Sequence, residues 1–287
     1  ATVGTLGILM PPSVTLIVFG IITEQSIGKL FLAGLIPALI IAFFFVLIIY
    51  VWCRMNPSLG PKGKKSSWKE RIASLPEVLW VGIIFLVVIG GLMKGFFSPT
   101  EAGSVGTFAV LLYSIVKKDL DFKGFAKSIG ESLRTSCMVL MLIAGSTILG
   151  HFLAVTKIPM IAADWIIQLN FHRDLTMILI ALIFLLGGSF IDDLAFMVLA
   201  TPIFFPVIIK LGFDPIWFGM IIAITVMIGV VIPPVAINVF VVKNITKVPF
   251  GVIYKGVYPF LISLVVCALL LFLFPQIALY LPSRFMK

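Results

Sequence analysis

The chain has 287 residues, 61% of them hydrophobic and 11% charged, with a mean hydropathy of +1.22 and a formal net charge of +9. A soluble domain carries about 45–50% apolar and about 25% charged residues, so the composition excludes one and marks an integral membrane protein. Phe, Gly and Pro are too frequent, and alternating patterns too few, for an outer-membrane barrel, which leaves an all-α bundle; the positive charge belongs to cytoplasmic loops and not to nucleic-acid binding.

A spanning helix needs about 20 apolar residues. Residues 1–23 form a first apolar segment, interrupted by GILMPPS. Residues 30–52 make a clear span, so 1–52 reads as one block. The polar, basic stretch 53–76 follows as a linker. Residues 77–97 span again, and SPTEAG then starts a helix that reaches about 116. Ser98 is its expected cap, Pro99 its first position, and Glu101 lies in its first turn. Residues 117–134 read as an amphipathic surface helix, and 135–155 as a span. Residues 176–209 are one apolar run interrupted by GGSFIDD. Its flanks, 176–186 and 194–209, are short for spanning, which predicts a re-entrant hairpin with a Gly-rich polar tip. The alternative is two short, tilted spans joined by an ordinary loop. Residues 216–242 carry a second interruption, GVVIPPVAIN, and 257–281 form the last span.

The two interruptions belong to one repeated segment. Aligning Pro11-Pro12 with Pro233-Pro234, at an offset of 222 positions, also places Gly7 on Gly229, Gly34 on Gly256 and Pro37 on Pro259. Every identity is a Gly or a Pro, the residues that dictate backbone shape. Chance similarity between two Pro-containing helices is the competing explanation. Broken helices at matching places in two halves of a membrane chain point to a secondary transporter's binding site. Arg54, Lys62, Lys64, Lys65, Lys69 and Arg71 lie in 53–76. Lys117, Lys118, Lys123, Lys127 and Arg134 lie in 117–134, and Lys243, Lys247 and Lys255 in 243–255. Span parity puts all three loops on one side, which the positive-inside rule makes cytoplasmic. The two broken helices then run in opposite directions, as an inverted repeat. The second repeat opens near Ser98, so its counterpart is expected to open roughly 125 residues before Ala1 and to include a first hairpin.

The chemistry concentrates at the interruptions. Asp192 and Asp193 are the only charges within the 34-residue apolar run. A carboxylate at membrane depth is costly unless it is paired, hydrated or bound to a cation. Gly187, Gly188 and Ser189 supply carbonyls and a hydroxyl beside them, and oxygen donors without His or Cys suit a hard cation such as sodium. The plainer alternative is that one of the two Asp residues caps the second half-helix. Broken helices leave carbonyls without helical partners, which bind cations, while helix N-termini attract substrate carboxylates. Ser13 and Asn238 sit just after the breaks and, with Asp193, are the candidate substrate contacts; local capping is the alternative for Ser13 and Asn238. Thr2, Thr5 and Thr225 lie just before the breaks. Cys53, Cys137 and Cys267 read as packing residues, and His151 and His172 as structural or interfacial. No phosphate loop, zinc spacing or nucleophile motif is present, so ATP-driven transport within this chain is not supported, and the chain is not expected to be an enzyme.

At these residues the chain resembles the large membrane subunit of tripartite ATP-independent periplasmic (TRAP) transporters. TVGTLGILMPPS, FLAGLIP, SPTEAG, GGSFIDDLAFMVLATPIFFPVI, GFDPIWFG and IGVVIPPVAINVF occur in family order over nearly the whole chain. The resemblance implies an elevator-type, sodium-coupled importer of organic acids in the bacterial inner membrane. A small four-helix membrane subunit and a periplasmic substrate-binding protein would be its partners. Carried over residue by residue, one sodium site would use Gly187, Gly188, Ser189 and Asp192 with carbonyls near Thr225, Gly229 and Pro233. The other would use carbonyls near Thr5, Gly7 and Pro11. A self-sufficient sodium–carboxylate symporter of related inverted-repeat fold is the nearest competing reading, and a membrane enzyme a remote one. A C4-dicarboxylate, a sialic acid and other carboxylates make similar demands on such a site.

Overall fold

The computed structural model describes residues 1–60, 67–158, 160–161, 164 and 171–286. Lys62, Lys64, Lys65 and Lys287 lie outside the described residues, as does most of the segment 162–170. All regular structure among the described residues is helical. Among the described residues, six helices are long and apolar enough to cross a membrane: Thr2–Thr23 taken as one interrupted helix, Ile27–Met55, Phe122–Thr156, Arg173–Phe190, Asp193–Lys210 and Phe250–Leu273.

Two compact units are present. The first comprises Ala1–Tyr50 and Leu140–Lys287. Its first break separates α1 (Leu6–Leu9) from α2 (Val14–Thr23), after a 3-10 turn at Thr2–Thr5. Helix α3 follows over Ile27–Met55. Helices α7 (Arg173–Phe190) and α8 (Asp193–Lys210) pack against each other as a hairpin. The second break separates α9 (Pro215–Gly229) from α10 (Ile237–Thr246). Helices α11 (Phe250–Leu273) and α12 (Gln276–Phe285) close the chain. Both breaks contain a cis Pro-Pro peptide bond.

The centre of this unit is α9. Every residue from Ile216 to Gly229 is buried, and a helix apolar on all sides belongs in a core. It touches α1, α2, α7, α8, α11 and α12. Its start is fixed by Asp214, whose Oδ1 accepts the N–H groups of Ile216 (2.8 Å) and Trp217 (3.0 Å). Its Trp217 indole donates to the Leu271 carbonyl of α11 at 2.8 Å. The hairpin is tied in by a proline effect. Pro202 has no N–H, so the Val198 carbonyl one turn earlier loses its helical donor. The Ser146 hydroxyl of the neighbouring helix donates to that carbonyl instead, at 3.3 Å.

The second unit, Val51–Val139, is built on α4 (Trp68–Met93) and α5 (Pro99–Lys117). They pair antiparallel: Trp80 lies beside Tyr113, and Val88 beside Gly106. Helix α5 begins as its sequence requires. The Ser98 hydroxyl accepts the Glu101 N–H at 3.3 Å, and the Glu101 carboxylate accepts the Ser98 N–H at 2.8 Å, a reciprocal cap.

Four expected boundaries change. The surface helix 117–134 and span 135–155 are one continuous helix, α6 (Phe122–Thr156); Gly130 does not stop it, and charged residues are good helix formers. The hairpin flanks are longer than 176–186 and 194–209, because Gly187, Gly188 and Ser189 stay helical within α7. Each arm has 18 residues, or about 27 Å, so arm length no longer argues against crossing. The last span is not 257–281 but Phe250–Leu273, bounded by Pro249 and Pro275. The first scaffold helix starts at Trp68, before the expected 77.

Candidate functional site

The polar tip is reduced to Ile191 and Asp192 between two helices. Asp192 is the cap of α8: its Oδ1 accepts the Ala195 N–H at 3.2 Å. The aspartate is exposed, and Asp193, the first residue of α8, is half-buried. Neither carboxylate has a basic partner among the described residues. The plainer expectation, that one Asp caps the second arm, therefore describes Asp192.

The end of α7 meets the second break directly. Gly229 and Gly188 face each other so closely that a Cβ on Gly229 would stand 3.0 Å from the Gly188 carbonyl carbon and 3.2 Å from its oxygen. The Val235 N–H, inside the break, donates to the Ser189 carbonyl at 3.4 Å. The Ser189 hydroxyl turns back to the Leu186 carbonyl at 2.7 Å. Glycine is required at position 229 because two backbones approach there, not to reach a positive φ; a Cβ on Gly188 would meet only Val226, at an ordinary 3.9 Å. Of the residues expected at one cation site, the structure thus brings together Gly188, Ser189 and Gly229. Gly187 points elsewhere: its Cβ would fall within 2.3 Å of the Phe196 ring.

The second break holds itself open with a few bonds. The Asn238 N–H reaches back to the Val230 carbonyl at 3.3 Å. Ala236 sits at φ 47°, ψ 59° as the residue before α10, a left-handed conformation costing a β-carbon residue roughly 1–2 kcal/mol. The carbonyls of Met227 and Gly229 accept no hydrogen bond from a described residue. Free carbonyls at a helix C-terminus carry partial negative charge. Thr225 lies one turn earlier, its hydroxyl donating to Ile221 O at 2.7 Å within its own helix. Pro233 is exposed. The Asn238 side chain makes no hydrogen bond to a described residue.

At the first break, Ser13 is the cap of α2. Its hydroxyl accepts the Leu16 N–H at 3.3 Å and donates to the Ile8 carbonyl across the break. This is the local-capping alternative. The Thr5 hydroxyl donates to Thr2 O at 2.7 Å. Gly7, the repeat partner of Gly229, has no atom within 4 Å of where a Cβ would stand. Pro11 lies in the break itself, whose preceding residue, Leu9, is fully buried. There α1 packs on α9, and α2 packs on the second hairpin arm.

Sequence reasoning missed what holds these pieces in place. Phe19 of α2, Phe184 of α7, Phe196, Phe204 and Phe205 of α8, and Phe218 of α9 form one ring cluster, with centroids 5.7–6.4 Å apart. The available signal was weak: Phe204, eight residues beyond Phe196, falls near the same side of α8, but Phe205, nine residues on, falls on the opposite side.

One prediction arises here. Replacing Gly229 by alanine should cost about 1–3 kcal/mol, because the added carbon meets backbone that cannot rotate away. Thermal unfolding of the detergent-purified complete protein would measure this. Gly4→Ala, where the added carbon meets nothing within 4 Å, serves as the silent control.

Comparison with known proteins gives these elements a context. Residues 1–277 match the model of the family described as "Tripartite ATP-independent periplasmic transporter, DctM component". The chain is 32% identical to the C4-dicarboxylate TRAP transporter large permease protein DctM of Pseudomonas aeruginosa, covering 98% of this chain and 65% of that protein. It is 33% identical to the sialic acid TRAP transporter large permease protein SiaM of Vibrio cholerae, covering 98% and 66%. Its identity to the ectoine TRAP transporter large permease protein TeaC of Halomonas elongata is 35%, covering 95% and 64%. The chain thus spans about two thirds of the length of these relatives, all of them permeases and not enzymes. A permease component with six helices able to cross a bilayer is a multi-pass protein of the bacterial inner membrane. On the match over residues 1–277, the chain belongs to the DctM component family of tripartite ATP-independent periplasmic transporters.

Proposed function

We propose that the complete protein is the large transmembrane subunit of a sodium-coupled transporter that imports a small organic acid by an elevator movement. The observation that carries this reading is the junction of α7 with the second break. A helix end, an interrupted helix and two unpaired carbonyls, Met227 and Gly229, converge there, with Gly188 and Ser189 packed alongside. Sodium is a hard cation that takes oxygen ligands, and unwound carbonyls at broken helices are where transporters hold it. The donors present are all oxygen, so they fit. Gly188, Ser189, Asp192 and Gly229, with backbone near Thr225 and Pro233, would hold one ion; backbone near Thr5, Gly7 and Pro11 would hold another. The hairpin is re-entrant in this reading, with the end of its first arm packed against the break. The substrate carboxylate would be met by helix N-termini after the breaks, beside Ser13 and Asn238. A C4-dicarboxylate, sialic acid or similar carboxylate fits these demands, as the relatives' names suggest.

The partners follow from the same reading. A periplasmic binding protein would deliver the substrate on the outer face, near 24–29, 156–174 and 210–216. A small membrane subunit would brace scaffold helices α3, α4 and α5. The basic stretches 53–76, 117–134 and 243–255 would face the cytoplasm.

The test separates cap from ligand at Asp192. Sodium at a hundred times its dissociation constant should stabilise the complete protein by about 2.7 kcal/mol relative to potassium. Asp192→Ser keeps a capping oxygen and removes the carboxylate; Ser189→Ala removes the hydroxyl. Both variants should fold and lose part of the sodium-specific stabilisation. If Asp192→Ser keeps it in full, Asp192 is a cap alone. If the wild type shows no sodium-specific gain, this site is wrong.

A further inference from the structure

The turn between α10 and α11 carries a second candidate site, unrelated to the carbonyls of the breaks. Lys243, near the end of α10, lays its side chain over the start of α11. Its Nζ lies 3.8 Å from the Phe250 ring centroid and 5.9 Å from that of Phe240, and those two centroids are 5.3 Å apart. The rings continue along one face of α11, from Phe250 to Tyr254 at 6.4 Å and from Tyr254 to Tyr258 at 6.1 Å, at the four-residue spacing of helix neighbours. A ring face holds an ammonium in place without neutralising it. Lys247, the left-handed C-cap of α10, and Lys255, in the second turn of α11, are exposed. None of the three lysines pairs with a carboxylate among the described residues. The sequence has no Asp or Glu after Asp214.

Two features decide what this surface meets. Large apolar side chains, Phe240, Val241, Ile245 and Val252, stand exposed beside the cations. Water is a poor neighbour for a cluster of such groups, and hydrocarbon is a poor one for charges. Both demands are met at the headgroup level of a bilayer, where Lys and Tyr keep their stems in hydrocarbon and their tips in water. The position agrees, because Phe250 is the first residue of a helix long and apolar enough to cross. Phe240 and Ile245 are about 140° apart around α10, so a fluid medium reaches both more readily than one flat protein surface. The second feature is charge. Three lysines with no acid to balance them call for an anionic complement.

We infer that this turn binds the headgroup of an anionic phospholipid in the leaflet where α11 begins, with the phosphate at Lys243 and with Lys247 and Lys255 adding charge around it. The site depends on α11 lying in the bilayer and not on the transport reading, so the two fail separately. The complete large subunit would be reconstituted into vesicles of phosphatidylglycerol and phosphatidylcholine in equal amounts, one lipid at a time carrying a photoactivatable group beside its headgroup. Peptide mapping after illumination would measure label between residues 237 and 258. A lysine near an anionic lipid surface contributes about fivefold. Label from phosphatidylglycerol should therefore exceed that from phosphatidylcholine at least about fivefold. Lys243→Gln should lower the ratio about fivefold, and replacing Lys243, Lys247 and Lys255 together by glutamine should bring it close to one. Lys123→Gln, at an exposed lysine of α6, should leave it unchanged. Equal labelling by the two lipids in the wild type would overturn the proposal, and so would a preference that survives the triple change. An equal fall with Lys123→Gln would do the same, since that is a general surface potential. Crosslinking of this segment to a protein in place of lipid would give the surface to that partner and end the lipid reading.

Discussion

Replacing Gly34 by alanine is expected to destabilise the protein by about 3 kcal/mol or more, the upper range for overpacking. In a helix interior such a change ordinarily stabilises by up to about 1 kcal/mol. The sign reverses because Gly34 of α3 lies against the last residue of α1. A Cβ there would stand 2.4 Å from the Leu9 carbonyl oxygen, about 1 Å inside ordinary contact. The carbonyl has no easy retreat: Leu9 is fully buried, and the chain turns into the Pro11-Pro12 break two residues later. Gly256, the repeat partner of Gly34, has no atom within 4 Å of its Cβ position. Gly256→Ala should therefore be neutral or mildly stabilising. Thermal unfolding of both variants of the complete protein in detergent is the measurement. Equal effects at the two positions would mean that the α1–α3 contact is not as described.

Phe184→Ala is expected to cost about 3–5 kcal/mol, the range for a fully buried aromatic truncated to a methyl. Phe184 has no exposed surface. Its ring lies 5.7 Å from Phe196, 5.9 Å from Phe204 and 6.2 Å from Phe218. It therefore locks the first hairpin arm to the second arm and to α9 at once. Phe184→Leu keeps much of the volume and should cost about 1.5 kcal/mol or less. In the proposed function, the alanine variant should also weaken the response to sodium, since the cluster positions the end of α7 that meets Gly229. A tolerated Phe184→Ala, with unchanged unfolding temperature, would show that the ring cluster does not hold the hairpin.

Much of this architecture was legible because Gly and Pro act through backbone shape. Pro11-Pro12 and Pro233-Pro234 mark the two breaks in the sequence and interrupt helices in the structure. Ser98-Pro99-x-Glu101 announces the start of α5 for the same local reason. Misreadings arose where tertiary packing overrides local preference. Gly187-Gly188-Ser189 reads as a loop by propensity, yet it stays helical; Gly187 lies where a side chain would collide with the Phe196 ring. Lys255 reads as part of a loop, yet it is an exposed residue inside α11, where its long side chain can reach polar surroundings. The basic stretch 117–134 reads as a surface helix; nothing in it from Phe122 onward ends a helix, so that part continues into the following span. The hardest feature to foresee was Asp192. Composition marks it as a carboxylate at membrane depth, while the geometry shows it capping α8; only the sodium response of the serine variant separates those roles.

The most direct test of the central claim is uptake into liposomes by the complete large subunit, reconstituted with its small membrane subunit and supplied with the periplasmic binding protein. Radiolabelled organic acid would be followed under an inward sodium gradient, with an equal potassium gradient as control. The account predicts accumulation with sodium and all three components present, and background uptake when sodium or the binding protein is withheld. Equal accumulation under the potassium gradient would contradict it.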